Sequence, residues 1–273
     1  MKIGIIGTGN MGTILSEALL DAKSVSPSDL IVINRTKAKA ERLKHRYKDI
    51  VIANNIEELI VSSDLIFLCI KPADFYSLLL ENKDFFNEEK CIVSITSPIQ
   101  PDWLESLVNC SCARIIPSIT NRAHSGVTLF TFGNRCSELW KNKLNTLFSG
   151  VSLPLEINEE ITRVSSDIVS CGPAFFSYLT RRFIEAAVSE TAIDEETATK
   201  LSEQMLIGLG ELLKKGYYSL PTLEEKVCVK GGITGEGINV LENEVGDMFE
   251  KLFQATHAKF NDEKSKLERD FNS

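Results

Sequence analysis

Short, continuously apolar runs alternate with helical patterns over the first half of the chain. Runs that are apolar throughout are typical of parallel strands buried on both faces of a sheet. With right-handed crossovers, the alternation predicts a doubly wound parallel α/β sheet. The predicted strands cover residues 2–6, 30–33, 64–70, 91–95, 112–117, 126–132 and 151–155.

After about residue 160 the pattern becomes helical. Helices are predicted over 175–192, from 194 to about 215, from 221, and from 234 to about 260, with a polar end that frays from 261. The segment 175–192 is apolar nearly all round, which favours burial by a second subunit over burial within a larger monomeric core. We therefore predict two domains, residues 1–158 and 159–273, the second an all-helical dimerisation domain.

Composition narrows the class of protein. The chain has 273 residues, 43% of them hydrophobic, and a net charge of −8, which argues against nucleic acid as the main partner. No apolar run is long enough for a membrane span, and the N-terminus does not resemble a signal peptide. Seven dispersed cysteines and three isolated histidines show no metal-ligand spacing. We expect a cytoplasmic protein without a bound metal.

The first strand runs into Gly7-Thr8-Gly9-Asn10-Met11-Gly12, and a helical pattern follows. In this context Gly7 permits the tight turn, Gly9 lets the backbone approach a pyrophosphate, and Gly12 packs the helix on the strand. The helix N-terminus supplies N–H groups for the anion, with Asn10 and Met11 beside it. The sequence predicts a Rossmann-type dinucleotide site here. The alternative is a Gly-rich turn with no ligand.

The end of the second strand indicates which dinucleotide binds. Sites for NAD usually carry an acidic residue there, but this chain has Asn34-Arg35-Thr36 followed by Lys37. Arg35 can meet a 2′-phosphate bidentately, and Thr36 can add a hydroxyl. We therefore predict NADP(H) as the cofactor. The alternative is a surface arginine and lysine that open the next helix.

Two Gly-containing turns mark the helical half. In Val169–Phe175, Ser170 is placed to cap a helix whose first turn holds Pro173. In Val229–Gly235, Gly231 and Gly232 precede a helix and can form a concavity of N–H groups that would suit a carboxylate. Each turn could equally be an ordinary helix cap.

These motifs together resemble the pyrroline-5-carboxylate reductases, across essentially the whole chain. The matching elements come in family order: IGIIGTGNMG, NRT, Lys71-Pro72, Arg114–Pro117, Ser170–Ala174 and Gly231–Thr234. The resemblance implies an NADPH-dependent reduction of 1-pyrroline-5-carboxylate to L-proline by an interlocked homodimer. It implies cofactor contacts at Lys71 and Pro72, and an active site between the cofactor of one subunit and the Gly-Gly turn of its partner.

The resemblance also assigns the substrate half of the site. It implies that backbone N–H groups of Gly231, Gly232, Ile233 and Thr234 hold the substrate carboxylate. The Thr234 hydroxyl would meet the ring nitrogen and is the predicted catalytic group. The alternative is that Thr234 only caps the last helix.

The chain departs from the family pattern mainly in this substrate half. Ser118 stands where the family has Asn, and the changed turns read Thr96-Ser97-Pro98, Val169-Ser170-Cys171 and Val229-Lys230. Such departures resemble the late-competence-type paralogues of these reductases. The alternative function is therefore a weakly active or inactive NADP-binding paralogue with a regulatory role in competence or development. A third hypothesis is a β-hydroxyacid reductase. Such enzymes usually carry a catalytic lysine with glycine and asparagine nearby, and no lysine of this chain stands in that context.

Overall fold

The computed structural model describes residues 1–271. Its strands are β1 (Ile3–Ile6), β2 (Leu30–Ile33), β3 (Val51–Ile52), β4 (Leu65–Leu68), β5 (Cys91–Ser94), β6 (Ser111–Ile116), β7 (Val127–Phe132) and β8 (Leu153–Glu156). Its first helices are α1 (Asn10–Asp21), α2 (Lys37–Arg46), α3 (Ile56–Ser62), α4 (Phe75–Asn82), α5 (Pro101–Leu107) and α6 (Glu138–Ser149). The later helices are α7 (Thr162–Ser166), α8 (Gly172–Glu190), α9 (Glu195–Lys214), α10 (Leu220–Val227), α11 (Ile233–Glu244) and α12 (Met248–Phe271).

The strands form one sheet in the order β3-β2-β1-β4-β5-β6-β7-β8. Strands β1 to β6 are parallel, which confirms the predicted doubly wound α/β fold. The prediction of a fully parallel sheet is wrong at β7, which runs antiparallel to β6. The connection between these two strands, residues 117–126, is too short for a parallel crossover, which takes about a dozen residues or more.

Both faces of the sheet are buried at its central strands β1, β4, β5 and β6. Alternate residues of β4 point to opposite sides, so Phe67 belongs to one hydrophobic cluster and Ile66 to the other. The first cluster includes Leu19 of α1 and Leu144 of α6, and the second includes Leu79 of α4. Burial on both sides explains why these strands are apolar throughout.

The tertiary contacts divide the chain into two compact units. One consists of Met1–Pro173 together with the chain from Ala255 onward, and the other of Ala174–Gln254. The first unit holds the sheet, and the second holds α9, α10, α11 and most of α8. The division at residues 158 and 159 remains a prediction about domains.

The C-terminal helices differ from the prediction in two ways. The single helix expected over 234–260 is interrupted near Gly246, whose φ of +47° lies in the left-handed region. The end predicted to fray from 261 is helical as far as Phe271. This end is held by contacts within the first unit, because Leu267 is buried and Phe271 stacks on Trp103 with ring centroids 5.2 Å apart.

Candidate nucleotide-binding site

A cleft of about 1150 Å³ opens at the carboxyl edge of the sheet, where β1, β2 and β4 end. Ligands of open α/β sheets bind at this edge. The cleft is lined by many of the residues that the sequence predicted for the cofactor: Gly7, Gly9, Asn34, Arg35, Thr36 and Lys71. Asn10, Met11 and Gly12 lie in the first turn of α1, and Pro72 follows Lys71.

The three glycines of the first turn are needed for different reasons. Gly7 has a φ of +103°, and a Cβ there would lie 2.4 Å from the Cys69 carbonyl oxygen. A Cβ on Gly12 would lie 2.0 Å from the Gly7 carbonyl oxygen. Around Gly9, in contrast, no described atom outside Gly9 and its two chain neighbours lies within 4 Å of the Cβ position. The fold itself explains Gly7 and Gly12, whereas Gly9 keeps open a space that fits the close approach of a ligand.

The N-terminus of α1 is open for an anion. Its N-cap is Gly9, and the described chain places no side-chain capping bond there and no acidic residue in the first turn. The N–H groups of Asn10, Met11 and Gly12 have no partner inside the helix, because the first helical bond runs from Thr13 N–H to the Gly9 carbonyl. This arrangement fits a pyrophosphate.

The N-terminus of α2 is open in the same way and is surrounded by positive charge. Its N-cap Thr36 makes no side-chain capping bond to the part of the chain that the structure describes. The first turn holds Lys37 and Lys39, and Arg35 precedes it, all exposed. Cations at a helix N-terminus are unfavourable by themselves, so a bound anion would offset them. A 2′-phosphate fits this position.

Four other helices, α3, α6, α9 and α10, have a side-chain N-cap, whereas α4, α5, α7 and α11 have none in the described chain. The α3 N-terminus has an Asn55 cap that accepts from the Glu58 N–H, and the first turn holds two glutamates. Ser137 and Asp194 likewise cap α6 and α9. A missing cap is therefore not unique to α1 and α2; what distinguishes these two helices is that their N-termini adjoin the cleft and carry no acidic residue at the N-cap or in the first turn.

The side-chain amide of Asn34, which was predicted to contact the cofactor, forms hydrogen bonds to two other residues of the chain. Its Oδ1 accepts from the Thr8 N–H at 2.9 Å, and its Nδ2 donates to the Thr36 carbonyl at 3.0 Å. Beside this pair, the Gly7 N–H donates to the Ile33 carbonyl at 2.8 Å. The Gly-rich turn and the turn after β2 are thus fixed to each other.

Sequence reasoning missed a buried polar centre behind the sheet edge. The Arg114 side chain is fully buried and donates to Glu159 at 2.6 Å, to Thr162 at 2.6 Å and to the Ser97 carbonyl at 3.0 Å. Burial alone would raise the pKa of Glu159, but the bond and charge of Arg114, with Gln100 and Lys264, lower it below its ordinary value. No local pattern around Glu159 indicates this pairing.

Arg163 forms a second polar cluster and, like Arg114, donates to Ser97. It donates to Asp167 at 2.8 Å and to the Ser97 hydroxyl at 3.2 Å, and Thr256 also donates to Asp167 at 2.7 Å. Arg163 also donates to the Cys171 sulfur at 3.5 Å, but burial raises the pKa of that thiol. The thiol is therefore held in its protonated, weakly nucleophilic form.

The predicted cap at Ser170 is wrong. Residues Asp167–Cys171 form a π-helical turn that continues into α8, so Ser170 lies inside the helix rather than at its start. The Ser170 hydroxyl donates to the Pro117 carbonyl at 3.0 Å, and the Ser118 hydroxyl donates to the Val169 carbonyl at 2.6 Å. Ser118, which departs from the family pattern, is therefore buried and ties the end of β6 to this turn.

The predicted substrate turn lies in the second unit. Gly231 has a φ of +75°, and Gly232 is the N-cap of α11. The alternative that Thr234 caps this helix is wrong, because Thr234 is its second residue and is exposed. Ile233 beside it is 92% exposed. Within this turn the Gly232 N–H, which was predicted to bind the substrate carboxylate, donates instead to the Val229 carbonyl at 2.9 Å.

Within residues 1–271 no group of three or more His, Cys, Asp or Glu side chains could hold a metal ion. None of the described helices combines the length and the apolar character that crossing a membrane requires. All seven cysteines of the described chain are free thiols.

Comparisons with known proteins agree with this architecture. Residues 2–98 match the family described as NADP oxidoreductase coenzyme F420-dependent, and residues 159–262 match pyrroline-5-carboxylate reductase dimerisation. The fold and these matches define an oxidoreductase-type dinucleotide-binding protein, and they confirm NADP(H) as the cofactor class of such proteins.

Whole-chain relatives define the family. ComE operon protein 4 of Bacillus subtilis is 51% identical over 271 residues, covering 99% of both chains. Pyrroline-5-carboxylate reductase 3 of the same organism is 30% identical over 261 residues, covering 95% of both. The chain belongs to the pyrroline-5-carboxylate reductase family.

A solved structure confirms the fold. The pyrroline carboxylate reductase of Plasmodium falciparum, determined with NADP bound, has a TM-score of 0.82 at 22% identity and covers 98% of both chains.

Proposed function

We propose that this protein binds NADP(H) in the cleft and reduces 1-pyrroline-5-carboxylate to L-proline. The observation that carries the proposal is the pair of uncapped helix N-termini, α1 and α2, that open onto one cleft. A dinucleotide with a 2′-phosphate has anionic groups for both termini. The relative that is 30% identical over 95% of both chains is a pyrroline-5-carboxylate reductase, which supports the same reaction.

The residues of the first unit would hold and orient the cofactor. The N–H groups of Asn10, Met11 and Gly12 would bind the pyrophosphate, and Arg35 and Thr36 would bind the 2′-phosphate, with Lys71 and Pro72 at the edge of β4. When bound, NADPH supplies the hydride. For the reduction of an imine, the protein then mainly has to position the substrate against the cofactor and to exclude water from the site.

The residues of the second unit would hold the substrate. Backbone N–H groups of Gly231, Ile233 and Thr234 would clamp the carboxylate, since the N-terminus of α11 is also without a side-chain cap in the described chain. The Thr234 hydroxyl would bond the ring nitrogen. A backbone clamp does not depend on side-chain identity, so Ile233 does not disrupt it.

We also propose a homodimer formed by the second unit. Large apolar side chains are exposed there on several helices, including Phe183 of α8, Ile207 of α9 and Val240 of α11. Apolar surface of this kind marks a protein interface. The match of residues 159–262 to a dimerisation family supports a second copy as the partner. A cytoplasmic location and the absence of a nucleic-acid partner remain predictions.

A second candidate function is an NADP(H)-binding paralogue with little turnover and a regulatory role in competence. The observation that favours it concerns Ser118, which stands where the family has Asn and donates a hydrogen bond to the Val169 carbonyl. Its hydroxyl is thereby used in holding the fold. The 51% identity with ComE operon protein 4 also supports this candidate.

One paired experiment separates the two candidates. NADPH oxidation is measured with 1-pyrroline-5-carboxylate, and NADPH binding is titrated by fluorescence on the same preparation. Turnover with binding supports the reductase, and binding without turnover supports the paralogue. Absence of NADPH binding would reject both.

A further inference from the structure

The turn after β2 is held by a single side chain whose two polar atoms are both used. The Asn34 amide accepts from the Thr8 N–H and donates to the Thr36 carbonyl, at 2.9 and 3.0 Å. Thr8 belongs to the Gly-rich turn, and Thr36 is the N-cap of α2. One half-buried amide therefore joins the two turns on which the proposed phosphate contacts lie.

The bonds of this amide set the position of the exposed cations. Arg35 and Lys37 flank Thr36, whose carbonyl also accepts from the Lys39 N–H at 2.9 Å. Long cationic side chains lose conformational freedom when they bind an anion, so a fixed backbone beneath them lowers the cost of binding. Without the bond from Asn34, the backbone at Thr36 would lose its link to the Gly-rich turn.

Only an amide can do this at Asn34. Aspartate would still accept from Thr8 but could not donate to the Thr36 carbonyl, and it would bring a negative charge into the cleft. We infer that Asn34 is a positioning residue for cofactor choice: it holds the Arg35–Lys37 turn in place for a 2′-phosphate and in register with the pyrophosphate turn. This inference rests on the proposed NADP(H) function.

The test uses two fragment probes and needs no turnover. Adenosine 2′,5′-bisphosphate and adenosine 5′-monophosphate are titrated calorimetrically against the full-length parent, Asn34→Ala and Asn34→Asp. Asn54→Ala is the matched control, because Asn54 also lines the cleft but bonds to Glu58 instead of joining the turns. Hydrogen exchange is measured on each ligand-free protein.

The parent should prefer the bisphosphate. In Asn34→Ala that preference should fall about tenfold, as expected when a hydrogen-bonded anchor is lost. In Asn34→Asp it should fall further, about thirtyfold, because the new charge also repels the 2′-phosphate. Exchange at residues 7–9 and 35–39 should be faster in ligand-free Asn34→Ala and unchanged in Asn54→Ala. Should the alanine variant not fold, Asn34→Asp, which keeps the Thr8 bond, still gives the preference.

Three outcomes would overturn the inference. A lost preference with unchanged ligand-free exchange would make Asn34 a direct phosphate contact instead of a positioning residue. A parent that binds both probes, with the preference unchanged in both Asn34 variants, would reject the positioning role while leaving the proposed function intact. A parent that binds neither the probes nor NADPH would reject the proposed function itself.

Discussion

Two helix N-termini, those of α1 and α11, offer the same chemistry in different surroundings. Both follow a glycine N-cap and lack a side-chain cap in the described chain. The N-terminus of α1 lies in a cleft at the carboxyl edge of the sheet, whereas the first residue of α11, Ile233, is 92% exposed. Hydrogen bonds and charges are stronger where water is excluded. We therefore expect that one chain can complete the proposed cofactor half, while the proposed substrate half would need the cover of a second copy.

The largest expected effect comes from disrupting the proposed dimer. Phe183→Asp places a charge on the exposed apolar face of α8, so sedimentation at micromolar concentration should show a monomer. Turnover should fall below detection, while the NADPH dissociation constant should change by less than about threefold, because the first unit is intact. Ser189→Asp, which adds the same charge at an exposed polar position of α8, is the control. A monomeric parent would contradict the interface.

Thr234→Ala sharpens the comparison at the substrate half. If Thr234 bonds the reacting ring nitrogen, turnover should fall about tenfold to a thousandfold, the range for one lost transition-state hydrogen bond. NADPH affinity and melting temperature should stay close to the parent, because Thr234 is exposed and does not cap α11. Asn239→Ala, also exposed on α11, serves as the control. An unaltered turnover number would remove Thr234 from the reaction.

Gly9→Ala tests whether the open space in the cofactor half belongs to a ligand. No described atom outside residue 9 and its two chain neighbours lies within 4 Å of the added methyl, so the melting temperature should stay close to that of the parent. NADPH affinity should fall about a hundredfold, because the methyl would meet the pyrophosphate. Gly12→Ala, where the methyl would lie 2.0 Å from the Gly7 oxygen, should instead lose stability. Unchanged NADPH binding by Gly9→Ala would show that the space serves no ligand.

Arg35→Ala tests cofactor choice alone. A charge-assisted contact is worth about 1.5–3 kcal/mol, so NADPH affinity should fall about tenfold to a hundredfold. NADH lacks the 2′-phosphate, so its affinity should barely change. Fluorescence titration with both nucleotides gives the two constants, and Arg42→Ala, an arginine of α2 outside the cleft lining, is the control. Equal losses for both nucleotides would assign Arg35 to some other role.

The smallest expected effect is a pH dependence of stability at Glu159. Because the folded-state pKa lies below the ordinary value of 4.5, the contribution is full above that value and is lost as pH falls through the folded pKa. Glu159→Gln should cost about 1 kcal/mol near neutral pH, a modest figure since a third of this side chain is exposed. The difference in denaturation midpoint between the parent and Glu159→Gln should shrink in acid. A difference that is constant with pH would rule out titration of Glu159 as its cause.

The sequence was informative where local patterns decide the structure. The apolar runs predicted β1, β2, β4 and β5, and the spacing of Gly7, Gly9 and Gly12 predicted the strand–turn–helix that contains them. Strand β3 was missed because it is only the pair Val51–Ile52, and Val51 is exposed, so no apolar run marks it. The alternation of apolar runs also could not give the antiparallel direction of β7.

What the sequence could not predict depends on residues far apart in the chain. Arg114 bonds Glu159 across 45 positions, and Thr256 bonds Asp167 across 89. Asn34 was identified as a site residue from its place after a strand, yet its bond to the Thr8 N–H appears only when β1 and β2 are paired. The polar end of α12 was misjudged because Leu267 and Phe271 are isolated apolar residues whose contacts lie on α4 and α5.

The return of α12 to the first unit affects how the protein is made. The sheet and most of its helices leave the ribosome first, but Leu267 and Phe271 are synthesised only after residues 174–254. At roughly 5–20 residues per second, that interval lasts roughly 4–16 seconds. During this interval the apolar surface beside Trp103, which Leu267 and Phe271 cover in the complete protein, is exposed on the nascent chain. A chain that ended before Leu267 would leave this surface uncovered in the finished protein.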